Sequence, residues 1–174
     1  MFSEHVQSPR AEQRELTRTR VITCAQRLFV ERCFAGTTIR AIAENAQVSV
    51  GTVMAVGDKD TLLLAAYDRW IGEIHVGRPG PPDGSDPAVR IGDCVQPFLD
   101  LFARDLPLSR EYGAVLARGT HRTAVFAGLA TTLMTEFTEV FEDAGLGDDA
   151  VPAARAAYLS HSACSWRRPG SAPT

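Results

Sequence analysis

The chain has 174 residues, 45% apolar and 22% charged, an ordinary globular composition with room for one medium domain or two small ones. A net charge of −3 argues against whole-chain attraction to a polyanion, and no run approaches the roughly 18 apolar residues of a membrane span. The polar start reads as lacking a signal peptide, and the scattered Cys24, Cys33, Cys94 and Cys164 form no disulfide framework, so the expected location is a reducing cytoplasm.

Charge is unevenly spread. Residues 1–60 hold seven Arg and one Lys against seven acids, net +1, whereas residues 61–174 hold ten Arg against fourteen acids, net −4. Any surface suited to nucleic acid is therefore local and lies in the first third. Residues 1–10 are polar and read as a disordered arm; Arg10 and Arg14 could hold a phosphate, but a solvated tail is the plainer reading. A helix is expected from about Ala11 to Arg32, with Val21, Ala25, Leu28 and Phe29 on one face and Cys24 beside it. It should stop near Cys33. A reactive role for that thiol would need a lowered pKa, which sequence does not show.

From Thr37 to Lys59 the pattern is a short helix, a tight turn and a second short helix. Ile39, Ile42, Ala43 and Ala46 fall at i, i+3, i+4 and i+7. Thr38 precedes that stripe, where its hydroxyl can accept from the first-turn N–H groups. Gln47-Val48-Ser49 breaks the period, and Ser49 is placed to cap a second helix, Val50–Val56. Two helices so joined form a helix-turn-helix, whose second helix enters the DNA major groove while the first crosses the backbone.

This stretch and its flanks resemble the N-terminal domain of the TetR-like (tetracycline-repressor-type) transcription regulators. The shared marks are Ala25, Leu28-Phe29, Thr37-Thr38, Ile42-Ala43, Val48-Ser49, Gly51-Thr52, Lys59 and Leu62-Leu63, over roughly Arg14–Ile74. The departures are also specific. Relatives usually carry Gly where Cys33 and Gln47 stand, Tyr where Met54 stands, and Phe near Val56, and the segment from Thr52 to Lys59 is one residue shorter. That Tyr typically reaches a phosphate, which Met54 cannot donate to. The nominated DNA-facing residues are Thr38, Arg40, Ser49, Val50, Gly51, Thr52, Met54 and Lys59. Thr38 and Lys59 would take phosphates; Ser49, Gly51 and Thr52 would face the groove; Arg40 would take phosphate or a base edge, or stay a solvated charge.

Asp58 reads as the cap of a connecting helix, Lys59 to about Val76, with Leu63, Ala66, Tyr67, Trp70 and Ile74 on one face. Trp70 is expected to pack between the N- and C-terminal parts. Gly77–Pro87 is a Pro/Gly-rich loop and the clearest break in the chain. Helices are expected over Ala88–Asp105, kinked at Pro97, over Pro107–Arg118, over Thr120–Ala144 ending at Gly145 and Gly147, and over Asp148–Trp166, which is Ala-rich enough for close approach. Ser165–Thr174 makes a poor helix end.

The expected fold is all-α: an arm at 1–10, a helix-turn-helix domain at 11–60, a connecting helix at 61–76, a loop at 77–87, a helical ligand-binding and dimerisation domain at 88–166, and a flexible tail at 167–174. The resemblance implies a pocket in the C-terminal half, and Phe98, Phe102, Tyr112, Phe126, Met134 and Phe137 are the candidates for an apolar or aromatic effector, with His121 as a polar contact. Stripes of this kind are core more often than ligand box. His161 and Cys164 at i, i+3 supply only two metal ligands, so no metal site and no cofactor is expected. No nucleophile–base constellation or phosphate loop argues for an enzyme. The resemblance implies a homodimeric repressor on a near-palindromic operator, released by a small ligand. The alternative is a helical protein-interaction module that has lost specific DNA binding.

Overall fold

The computed structural model describes residues 9–78, 86–119 and 124–165, without the side chains of 124–127 and 161–165. Among the described residues there are eight α-helices and one 3₁₀ turn, and no strand. The helices are α1 Pro9–Gly36, α2 Ile39–Ala46, α3 Val50–Val56, α4 Lys59–Gly77, α5 Pro87–Arg104, α6 Leu106–Arg118, α7 Ala124–Asp143 and α8 Ala150–Ser165. The all-α expectation holds. The arm to residue 8, the loop at 79–85 and the tail beyond Ser165 fall outside the described residues.

The chain divides into two compact units. The first is Met1–Trp70 with Asp105–Thr123, and the second is Ile71–Arg104 with Ala124–Thr174. The first unit thus holds α1 to α3, the first part of α4 and also α6. That grouping has a chemical basis. The rings of Tyr67 and Tyr112 stack at 4.1 Å between centroids, the Tyr67 and Ser109 hydroxyls lie 2.9 Å apart, and Arg118 donates to Asp60 at 2.7 Å. Trp70 meets Tyr67 edge to face at 5.2 Å.

In the first unit the apolar stripes read from sequence do the burying. Val21, Ala25, Leu28 and Phe29 of α1 are fully covered, together with Ile42, Val53, Leu62, Leu63 and Ala66. Gln26 is buried as well, and its side-chain amide donates to the Ala66 carbonyl at 3.2 Å, joining α1 to α4. The α1 helix breaks at Cys33 (φ 57°, ψ 171°) before one more turn to Gly36. That conformation belongs almost wholly to glycine and costs about 1–3 kcal/mol in any other residue. Gln47 holds a left-handed φ of 54° as the C-cap of α2. The two positions where relatives carry Gly are therefore the two non-glycine residues with positive φ among those described.

In the second unit, α5 turns Ile91, Cys94, Val95, Phe98 and Leu101 inward and runs on through Pro97. Leu133, Phe137 and Val140 of α7 are buried, and Ala150 and Ala154 let α8 approach α7. Arg78 and Arg90 are also nearly buried, with side chains 6% and 8% exposed. Arg78 forms an ion pair with Glu136 and sits 5.5 Å from the Phe98 ring centre, and Arg90 donates to Asp143 at 2.8 Å. A cation left alone there would be strongly destabilising, so each partner carboxylate is a structural requirement. Past α7, Gly145 and Gly147 take φ of 84° and 54°, which ends the helix where the glycines predicted.

Two stability outcomes follow. Cys33→Gly removes the positive-φ strain at the cost of a more flexible unfolded chain, for a net gain of about 1 kcal/mol and a midpoint rise of about 2–4 °C in thermal denaturation. Asp68 of α4 keeps one carboxylate oxygen buried without a partner, and burial lifts its pKa from 3.8 to about 6. Between those values the folded chain holds a proton that the unfolded chain has released. Asp68 thus makes the fold less stable as pH rises from 3.8 to about 6. The denaturation midpoint of the wild type measured relative to Asp68→Asn should therefore fall as pH rises across that interval.

Candidate nucleic-acid interface

Three short caps set the geometry of α2 and α3. The Thr38 hydroxyl accepts from the Ala41 N–H at 3.1 Å, capping α2. The Ser49 hydroxyl accepts from the Thr52 N–H at 3.0 Å and lies 2.9 Å from the Thr52 hydroxyl, capping α3. The Asp58 carboxylate accepts from the Thr61 N–H at 2.8 Å and its hydroxyl at 2.6 Å, capping α4. Between α3 and α4 the chain makes a close turn at Gly57, where a Cβ would meet the Thr61 side chain at 2.5 Å. Only glycine fits so near to that cap.

α3 is inward on one side only. Val53 is fully buried, and Thr52 and Val56 are half-buried. The remaining positions are Val50, Gly51, Met54 and Ala55, all exposed, Val50 at 48% and Met54 at 51%. At 100° per residue these four form one unbroken outward arc. Ala55 belongs to it, although the nominated set omitted it; its place one turn beyond Gly51 was the available signal. No member of the arc carries a charge, and none has a side-chain N–H or O–H.

Gly51 in particular is not explained by the fold. A Cβ there would find only the Ser49 oxygen, at an ordinary 3.7 Å, and glycine inside a helix costs about 1 kcal/mol against alanine.

Polar residues flank α3. Arg40 is 83% exposed and donates to Glu44 of the same helix at 3.1 Å. Arg27 reaches from α1 to the Asn45 side-chain oxygen at 2.8 Å, a link that sequence periodicity did not signal. Asn45 spends its amide N–H on the Ala41 carbonyl at 2.8 Å. Exposed ion pairs such as Arg40–Glu44 are worth under about 1 kcal/mol and yield readily to a phosphate. Thr38 is exposed and still has its hydroxyl proton to donate.

Lys59, nominated for a phosphate, spends two of its three donors inside the domain. Its ammonium donates to the carbonyls of Phe34 at 3.0 Å and Thr37 at 3.2 Å, and lies 4.1 Å from the centre of the Phe34 ring. The end of α1 leaves carbonyls without helical partners, and the one lysine in the sequence is drawn to them.

The nominated effector residues fall in different units. Tyr112 lies in the first unit at 1% exposure, stacked on Tyr67, and burial pushes its hydroxyl pKa well above the usual value. Phe98, Phe102, Met134 and Phe137 lie in the second unit, where Phe98 and Phe137 are core. Met134 lines an open trough between α7 and α8 with Thr138, Glu142, Arg155, Tyr158 and Leu159. His121 and the side chain of Phe126 lie outside the described residues, as do the side chains of His161 and Cys164.

Gly51→Ala separates two roles of that position. It should raise stability by about 0.5–1 kcal/mol in chemical denaturation. In a duplex-binding assay the same variant should bind more weakly, because the added methyl stands on the outward arc.

Residues 21–66 match the model of the bacterial regulatory proteins of the tetR family. No curated protein matches the chain. Among solved structures, a crystal structure of apo AibR is similar at 21% identity, over 91% of this chain and 90% of that one, with a TM-score of 0.47.

Proposed function

We propose, from the premise that residues 21–66 form a TetR-family helix-turn-helix domain, that this protein is a homodimeric transcriptional repressor acting on a near-palindromic operator. The observation that carries the reading is the outward arc of Val50, Gly51, Met54 and Ala55, with its fold-independent glycine, on a helix capped at Ser49 and backed by Val53. A helix bare on one side and held firmly on the other is what a major groove accepts.

Anchoring would come from the flanks. Thr38, Ser49 and Arg40 are the phosphate contacts, and the one ammonium donor that Lys59 has left can add to them. So few cations on the docking side make single-module binding weak and two-fold pairing necessary. The second copy is expected on α7 and α8, where the trough beside Met134 and Leu159 is open and Leu159 is 66% exposed. Release by a small apolar or aromatic effector fits a helical second unit. The effector would favour the conformation in which paired α3 helices are wrongly spaced for successive grooves. The site of action is the cytoplasm, where the DNA is. No helix among the described residues is long and apolar enough to cross a membrane.

A second reading rests on the same arc. Its apolar character also suits a protein partner, which would make the chain an interaction module without specific DNA binding. Selection from a random duplex pool, with light scattering on the protein, separates the two. The regulator reading expects a two-fold symmetric motif, affinity that falls as salt rises, and a dimer. A folded protein that enriches no motif at low salt would leave the interaction module.

A further inference from the structure

We propose that this protein reads its DNA site through the 5-methyl groups of thymine. The inference rests on the DNA-binding reading above and names what the α3 surface recognises. Base edges in the major groove are told apart by hydrogen-bond donors and acceptors, with one apolar exception, the thymine methyl. Guanine is usually read by Arg or Lys, adenine by Asn or Gln, and cytosine by Asp or Glu. The outward arc of α3 has none of these. Val50 and Met54 present branched and flexible apolar surface, Gly51 opens space between them and Ala55, and the four lie contiguously.

The nearby groups able to make hydrogen bonds are partly engaged within the domain. The Ser49 and Thr52 hydroxyls face each other at 2.9 Å across the start of α3. The Asn45 oxygen accepts from Arg27 and one of its two amide N–H groups donates to the Ala41 carbonyl, on α2 and not on the reading helix. Arg40 stands on α2 with Glu44, on the flank rather than on the reading helix. What the arc of α3 itself presents to the groove floor is apolar contact, and the group there that rewards it is the methyl of thymine. Discrimination is then additive in methyls. Removing one contacted methyl forfeits the burial of about one carbon, a loss of roughly three- to fourfold in affinity.

The test uses the full chain and a random duplex pool. The enriched motif is resynthesised with deoxyuridine in place of thymidine, one conserved position at a time, which deletes the methyl and keeps every hydrogen-bonding group. Binding is expected to weaken about three- to fourfold at two or more positions. In Val50→Ala and Met54→Ala, both at exposed sites, the thymine-to-uracil affinity ratio should move toward one. A motif whose affinity is indifferent to the exchange at every position overturns the inference and leaves the DNA-binding reading standing. A folded protein that enriches no motif overturns both.

Discussion

The end of α1 is the constraint on which the first unit depends. A helix leaves its last carbonyls without partners, and here they are taken up by residues that begin the next elements. The buried Thr37 hydroxyl lies 2.8 Å from the Cys33 carbonyl and 3.0 Å from that of Leu28, sharing its one proton between them. Lys59, at the first position of α4, donates to the Phe34 and Thr37 carbonyls. The start of α2 and the start of α4 are thereby tied to one point. The ammonium over the Phe34 ring adds a cation–π contact there, and Phe34 in turn meets Phe29 of the core at 5.5 Å.

That knot gives the small helices their stability. α2 and α3 have eight and seven residues, too short to persist alone in water. They are ordered by the burial of Ile42, Ala43, Ala46 and Val53 and by caps that satisfy their first N–H groups. Because Val53 is the anchoring side chain of α3, the opposite side stays exposed.

The second unit is organised around a different difficulty. It brings two arginines inside, and each is answered by an acid far along the chain, Glu136 for Arg78 and Asp143 for Arg90. Both acids lie on α7, so the ion pairs fix α7 against the start of the unit and against α5. The alanines of α8 then permit close approach to α7, while Leu159 and the trough beside it stay open.

Much of this was legible in the residue order. The apolar spacing from Ile39 to Ala46, the caps at Thr38, Ser49 and Asp58, the limits of α3 and the glycine stops after α7 are local matters, decided by period and by one hydroxyl or one φ angle. The interruption at Cys33 was legible as a helix stop, but not the further turn to Gly36. Tertiary structure alone decided where long side chains go. Lys59 turns inward because carbonyls 22 and 25 residues away happen to need donors, and Arg27 finds Asn45 across 18 residues. It also decided that Tyr112 stacks on Tyr67, and that Ala55 shares the outward side of α3. Spacing along a chain tells which face a residue occupies, whereas only folding tells what that face meets.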